Sequence, residues 1–241
     1  MRAMILAAGR GERMRPLTDH LPKPLLTVAG KPLIVYHIEA LAAAGIRDIV
    51  INHAWLGQLI EQQLGDGRQF GVHLHYSPEG ATGLETAGGI KKALPLLTAE
   101  SETEPFIVIN GDVLTMYQPA DLIRQGLPQG SLAHLVLVEN PPQHPAGDFA
   151  FATEAPWLHS DGKSKWTFSG IALYHPSFFS QVPEGPQKLA PFLRQAMAQQ
   201  QVSGEFFQGY WADIGTPERL QQADAIFLAQ QSVQQRNHHV G

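Results

Sequence analysis

A short apolar run ending at Leu6 leads straight into AAGRGERMRPLTDHLPKP, residues 7–24, where Arg10, Arg13, Arg15 and Lys23 crowd around Gly9 and Gly11. Glycine lets the backbone bend sharply and bring its N–H groups close to an anion. Arginine offers a planar fork of donors and lysine a point charge, so the two hold phosphate oxygens in different geometries. Lys23 stands between Pro22 and Pro24, and flanking prolines stiffen a backbone without a helix. Taken alone, any one of these cations reads as part of a solvated cluster. Together with the glycines they point to a triphosphate. Two carboxylates extend the set: Asp112 follows the apolar run FIVIN and Gly111, and Asp213 lies in GYWADIGTPERL. Mg²⁺ favours one or two carboxylates supplemented by phosphate oxygens, which makes Asp112 and Asp213 the candidate metal pair. Singly, each also reads as a helix-capping or turn aspartate.

What these groups can reach depends on the elements that carry them. AMILAAG has the form of a buried parallel strand, and KPLIVYHIEALAAAG sets Leu33, Ile34, His37, Leu41 and Ala44 at helical spacing before Gly45 closes it. DIVIN, VHLHY and FIVIN read as further strands, with AWLGQLIEQQLG and TAGGIKKALPLL as the helices between them; Gly88 and Gly89 weaken the second. Strand and helix in strict turn predict an α/β fold, a single doubly wound, Rossmann-like domain around a mostly parallel central sheet. Ligands of such sheets bind beyond the carboxyl ends of the strands, where the glycine-rich turn and Asp112 both fall. In the second half LAHLVLV, TFSGIALY and EFFQGYWAD read as strands. LAPFLRQAMAQQ and PERLQQADAIFLAQQ read as helices, the latter with Pro217 in its first turn. Residues 141–163 are expected to form a long surface loop and 231–241 a frayed tail, leaving one domain over 1–230.

Composition narrows the partners. A net charge of −5 provides no basic field for general nucleic-acid binding. With no cysteine, disulfides and thiolate metal centres are excluded. The opening apolar stretch is too short for a signal peptide, and no run approaches the roughly 20 apolar residues of a membrane span. A soluble, cytoplasmic protein without a membrane partner is expected. Among the histidines, His73 and His75 alternate along a strand and His238 and His239 lie in the tail. None has a zinc-site spacing.

Residues 6–26 resemble, along their whole length, the signature of the nucleoside-diphosphate-sugar pyrophosphorylases, or sugar nucleotidyltransferases, with Glu12 where serine or threonine is commoner. The resemblance runs from Met1 to about Gln230. It implies a glycosyltransferase-A-like fold, with the nucleotide on residues 1–112 and the sugar phosphate on residues 113–230. The implied reaction moves a nucleotidyl group from a nucleoside triphosphate to a sugar 1-phosphate, with Mg²⁺ as cofactor. By this resemblance Ala8, Gly9, Gly11 and Glu12 wrap the triphosphate, and Arg13, Lys23 and Asp112 are catalytic. Asp112, in NGD, and Asp213, in WADIGT, are the metal ligands. The segment SPEGATGLETAGGI lies along the base, with Glu79 and Gly83 as candidates for its edge. Asn110, Gly147, Asp148 and Ser169 fall to the sugar phosphate. One departure concerns the sugar side: a Glu-Lys-Pro segment common in the family is replaced by TEAPWLHSDGKSK, where Asp161 or Lys165 stand as substitutes.

GLETAGGI, NGDV, GDF and TFSGI most resemble the short uridylyltransferases of the family; its guanylyl and thymidylyl branches share the chemistry. The absence of a C-terminal β-helix leads to the expectation of a monomer whose partners are the two small substrates. A non-catalytic sugar-nucleotide sensor is a second reading, but such a protein is expected to lose a metal aspartate or the lysine. A nicotinamide-dependent oxidoreductase would need a third glycine where Met14 stands and an acid ending the second strand, where INHAW stands.

Overall fold

The computed structural model describes residues 1–80 and 82–238. Nine strands matter here: β1 (Ala3–Leu6), β2 (Asp48–His53), β3 (His73–Pro78), β4 (Phe106–Asn110), β5 (Val113–Thr115), β6 (Ala133–Val138), β7 (Thr167–Tyr174), β8 (Val202–Phe206) and β9 (Trp211–Asp213). The helices are α1 (Leu33–Ala43), α2 (Gly57–Leu64), α3 (Glu85–Leu97), α4 (Pro119–Gln125), α5 (Leu189–Ala198) and α6 (Pro217–His238). Seven strands form the central sheet in the order β8-β6-β7-β4-β1-β2-β3. Only β7 runs against its neighbours; every other pairing in that sheet is parallel. The chain is therefore an α/β protein with the mostly parallel sheet that its sequence predicts.

Alternation along the strands divides the core. Ala3 and Ile5 of β1 join Ile49, Ile51, Ile107 and Ile109 under Ile34, Ile38 and Leu41 of α1. Met4, Val50 and Val108 point the other way, against Ala87, Ile90 and Ala93 of α3 and Leu193 and Met197 of α5. Such side chains contribute about 1.5–3 kcal/mol each on burial, so the two-sided pattern fixes which helix covers which face. Register does the rest. Leu6 sits beside Asn52 on one side and Asn110 on the other, so three strands end level and the loops beyond them share one space.

Several boundaries differ from expectation. EFFQGYWAD is two strands: β8 pairs with β6 in the central sheet, while β9 pairs with β5 in a separate ribbon. The break comes at Gly209, where a Cβ would lie 2.1 Å from the Phe207 ring; the chain folds back tightly there. Helix α2 starts at Gly57 rather than at Ala54. Leu56 is left-handed (φ 54°), and a Cβ on Gly57 would meet His53 Nδ1 at 1.8 Å. The stretch 141–163 carries a short antiparallel ribbon, Ala150–Phe151 with Leu158–His159. Helix α6 continues through residues 231–238, where a tail was expected; residues 239–241 lie outside the described residues. Among the described residues, no helix is long and apolar enough to cross a membrane.

Two histidines are held neutral inside this fold. Burial pulls the pKa of His37 down to about 4, although its Nε2–H donates to Val113 O at 2.8 Å and Asp112 lies near. Burial likewise takes His134 to about 4, with Ser203 Oγ 2.8 Å from Nδ1. In the unfolded chain both protonate near pH 6.5, so between about 6.5 and 4 the unfolded state binds more protons. Stability is complete above that window and falls as pH drops through it, by at most about 1.4 kcal/mol per pH unit for each group. The urea midpoint should fall between pH 7 and pH 5, and fall less in His134→Gln. An equal drop in both proteins would contradict this.

Candidate active site

The loop after β1 is pinned before it is charged. Gly11 is left-handed (φ 67°), and a Cβ there would press on Thr18 Cγ2 at 3.0 Å and Lys23 Cβ at 3.3 Å. Its carbonyl accepts from Thr18 Oγ1 at 2.8 Å and from Met14 N–H at 2.9 Å. Met14, fully buried, enters a third apolar cluster with Leu114, Ile214, Ala223 and Phe227. Arg13 and Arg15 are thereby left at the surface on either side of a buried anchor. Arg10 stacks 4.9 Å above the Trp55 ring, whose Nε1–H donates to Thr18 O at 3.3 Å.

Lys23 is buried, and its Nζ donates to Asp112 Oδ2 at 2.6 Å. A buried ammonium ion needs such a partner. Asp112 is placed by the residues before it. Gly111 N–H donates to Leu6 O at 2.8 Å, and a Cβ on Gly111 would meet that oxygen at 2.8 Å. Asn110 packs over Gly170 of β7, where a Cβ would come within 2.5 Å of Asn110 Nδ2. The glycines in NGD and TFSGI are thus spaces filled by neighbours.

Asp213 reaches the same place from more than a hundred residues downstream. Strand β9 pairs with β5 so that Asp213 opposes Val113, and Ile214 N–H donates to Asp112 O at 2.9 Å. The Asp213 side chain accepts from Arg219 Nη1 at 2.5 Å. Gly215 lies under both guanidinium groups: its Cβ would be 2.7 Å from Arg219 Nη2 and 3.1 Å from Arg13 Nη2. Arg13 is thus drawn to the metal-candidate turn as well as to the glycine loop.

The donor set suits Mg²⁺. Two hard carboxylates stand side by side, Asp112 in the turn just before β5 and Asp213 at the end of β9, each partly exposed. Each ion pair occupies the Oδ2 atom, leaving Oδ1 of both for a cation that prefers oxygen and keeps part of its water shell.

A cavity of about 550 Å³ opens beyond the level ends of β1, β2 and β4. Of the residues singled out in the sequence, Ala8, Gly9, Glu12, Lys23, Glu79, Gly83, Asn110 and Asp112 line it. Gly11, Arg13 and Asp213 are not among its lining residues. They connect to it through neighbours, Gly11 by packing on the lining residue Lys23 and Asp213 through Ile214 N–H, which donates to Asp112 O. Gly147, Asp148 and Ser169 lie toward β7. Gly147 (φ 62°) packs against Lys165 and Asn140. Asp148 accepts from Phe168 N–H at 2.8 Å and contacts His144 Nε2 at 3.0 Å. Ser169 is buried, its Oγ accepting from Ile171 N–H at 3.2 Å and its carbonyl from Trp211 Nε1–H at 2.9 Å.

Four participants escaped the sequence reading: Asn52, Trp55, Thr86 and Arg219. The first three line the cavity, and Arg219 holds Asp213. A signal for Asn52 existed, since DIVIN and FIVIN both end an apolar strand in asparagine and the register sets both beside Leu6.

The chain that carries this glycine-rich loop, buried lysine and two aspartates matches a known family. Residues 2–230 match the model of the nucleotidyl transferase family, and the chain belongs to that family. The N-acetylmuramate alpha-1-phosphate uridylyltransferase of Neisseria meningitidis serogroup B is 54% identical over 230 residues, which are 94% of this chain and 98% of that protein. The mannose-1-phosphate guanyltransferase beta-A of Xenopus laevis is 30% identical over 98% of this chain and 67% of its own length. In three dimensions, a Bacillus anthracis protein assigned as a glucose-1-phosphate thymidylyltransferase superposes with a TM-score of 0.80. It covers 94% of this chain and 95% of that one at 22% identity, and so supports the fold.

Trp55 in the cavity wall supplies a direct check. A nucleoside triphosphate added with Mg²⁺ should quench tryptophan fluorescence, and Trp55→Phe should remove most of that quenching. Undiminished quenching in the variant would place the nucleotide elsewhere.

Proposed function

We propose that this chain transfers a uridylyl group from UTP to N-acetylmuramic acid α-1-phosphate, giving UDP-N-acetylmuramic acid and pyrophosphate. The observation that carries the substrate pair is the 54% identity to the Neisseria uridylyltransferase across nearly the whole of both chains. The Lys23–Asp112 pair inside the cavity supports the chemistry. The sugar is a component of peptidoglycan, so the reading includes a place in peptidoglycan recycling in the cytoplasm, performed by a monomer.

The acceptor is already an anion at pH 7 and needs no general base. One oxygen of the sugar phosphate bonds to the α-phosphorus of UTP. The bond from that phosphorus to the α,β-bridging oxygen breaks, and pyrophosphate leaves with the electron pair. Catalysis is then alignment and charge neutralisation. Backbone N–H groups of Gly9 to Glu12 face the triphosphate, and Arg13 and Lys23 offset its charge as it shifts toward the leaving group. Asn110, Gly147, Asp148 and Ser169 shape the acceptor side, and Glu79 and Gly83 the base side. Asp112 and Asp213 would hold Mg²⁺, which when bound withdraws charge from the phosphates.

The test is pyrophosphate release, with UTP, dTTP, GTP and CTP each offered against the 1-phosphates of N-acetylmuramic acid, N-acetylglucosamine, glucose and mannose. Turnover should centre on UTP with the N-acetylmuramic acid compound. Preference for GTP with mannose or dTTP with glucose would overturn the substrate pair. Lys23→Ala and Asp112→Asn should each lower kcat about a hundredfold or more with the fold retained. Near-normal turnover in both would refute the assigned roles.

A further inference from the structure

On the base side of the cavity, Glu79 belongs to a buried polar chain. Ala7 N–H donates to Asn52 Oδ1 at 2.9 Å, and Asn52 Nδ2 donates to Glu79 Oε1 at 2.6 Å. Leu84 N–H then donates to Glu79 Oε2, also at 2.6 Å. Asn52 is 2% exposed and Glu79 7%. The sense of each bond is dictated from the ends. A backbone N–H only donates, so the Asn52 oxygen must face Ala7 and its amide must face Glu79. Both Glu79 oxygens must therefore accept, which a carboxylate can do and a carboxamide cannot.

The chain joins three separate pieces. Ala7 opens the glycine-rich loop, Asn52 ends β2, and Leu84 belongs to the segment entering α3 beside Gly83. Helix α3 makes way for it: a Cβ on Gly89 would lie 2.3 Å from Glu79 Oε1 and 3.0 Å from Asn52 Nδ2. Both carboxylate oxygens of Glu79 are committed within the protein.

We propose that Glu79, acting through Asn52, is a positioning residue that locks the base-side segment to the phosphate-side loop. It sets affinity for the nucleoside triphosphate without reading the base. The inference rests on the nucleotidyltransferase reading in placing a triphosphate in this cavity. A reader of the base edge would change preference among nucleotides when altered. A positioning group would weaken all of them alike.

The polarity of the chain provides its own rescue. Glu79→Gln turns an amide toward either Asn52 Nδ2 or Leu84 N–H, so two donors face each other. Asn52→Asp sets two carboxylates face to face. Made together, the changes restore a donor for every acceptor with the middle bond reversed and the charge unchanged: the new carboxylate accepts from Ala7 and from the new amide, whose oxygen accepts from Leu84. Each single variant should raise KM for UTP about tenfold, leave kcat within about threefold, lower Tm and keep the UTP-to-GTP ratio. The double variant should recover KM and Tm to near the parent values, a coupling that only interacting residues show. Gly89→Ala, which removes neither partner, should raise KM in the same way.

Parent-like KM and Tm in the single variants, or a double variant no better than the worse single, would overturn the proposal. So would a change of base preference in Glu79→Gln, which would make Glu79 a reader. A parent protein inactive with every nucleotide would instead defeat the uridylyltransferase reading, and the Tm values of the four proteins would still decide the network.

Discussion

The ion pair between Lys23 and Asp112 ties the molecule together at its working end. Lys23 comes from the loop after the first strand, Asp112 from the turn after the fourth, and the ammonium group is almost wholly removed from water. Burying that charge is unfavourable unless its partner is fixed in advance, so the structure on either side is rigid. On one side, prolines flank the lysine and its carbonyl accepts from Leu26 N–H. On the other, Gly111 is clamped to Leu6 and His37 donates to the carbonyl of Val113. The cation's position is set in advance by protein contacts, and preorganisation of this kind is what makes electrostatic stabilisation effective; in the proposed reaction it would serve the triphosphate.

The same requirement explains the amino-acid order in the loop. A run of exposed cations alone would be mobile, and mobile charges contribute little. Met14 interrupts the run and enters a cluster with Ile214, Ala223 and Phe227. The phosphate loop is therefore packed against the turn that carries Asp213 and against the last helix. Sequence-distant parts of the site are joined because an apolar residue stands between two arginines.

Much of this was legible in the sequence. Strands with both faces buried appear as unbroken apolar runs, and α1 appears between them at helical spacing with other longer mixed stretches following, so the α/β alternation could be read directly. Asp112 and Asp213 could be named from their motifs. Their meeting depends on β9 leaving the central sheet to pair with β5, and the run EFFQGYWAD hides that break because its residues favour strand on both sides of Gly209. Arg219 was invisible for a different reason: an arginine near the start of a helix is ordinarily solvated, and only the turn before it brings it to Asp213.

The glycines show most clearly how the motif words arise. Gly111 and Gly170 occupy positions where any Cβ would strike a neighbour's atoms: Leu6 O in the first case, the Asn110 side chain in the second. A Cβ on Gly88 would lie 2.1 Å from the Gly185 carbonyl oxygen and one on Gly89 2.3 Å from Glu79 Oε1, so TAGGI records two close approaches at the start of a helix that would otherwise favour alanine there. The contacts at Gly111, Gly170 and Gly89 bring Leu6, Asn110 and Glu79, all of which line the cavity, close without a side chain between. The site is assembled by backbone approach, and the glycine positions in the sequence mark where that approach occurs.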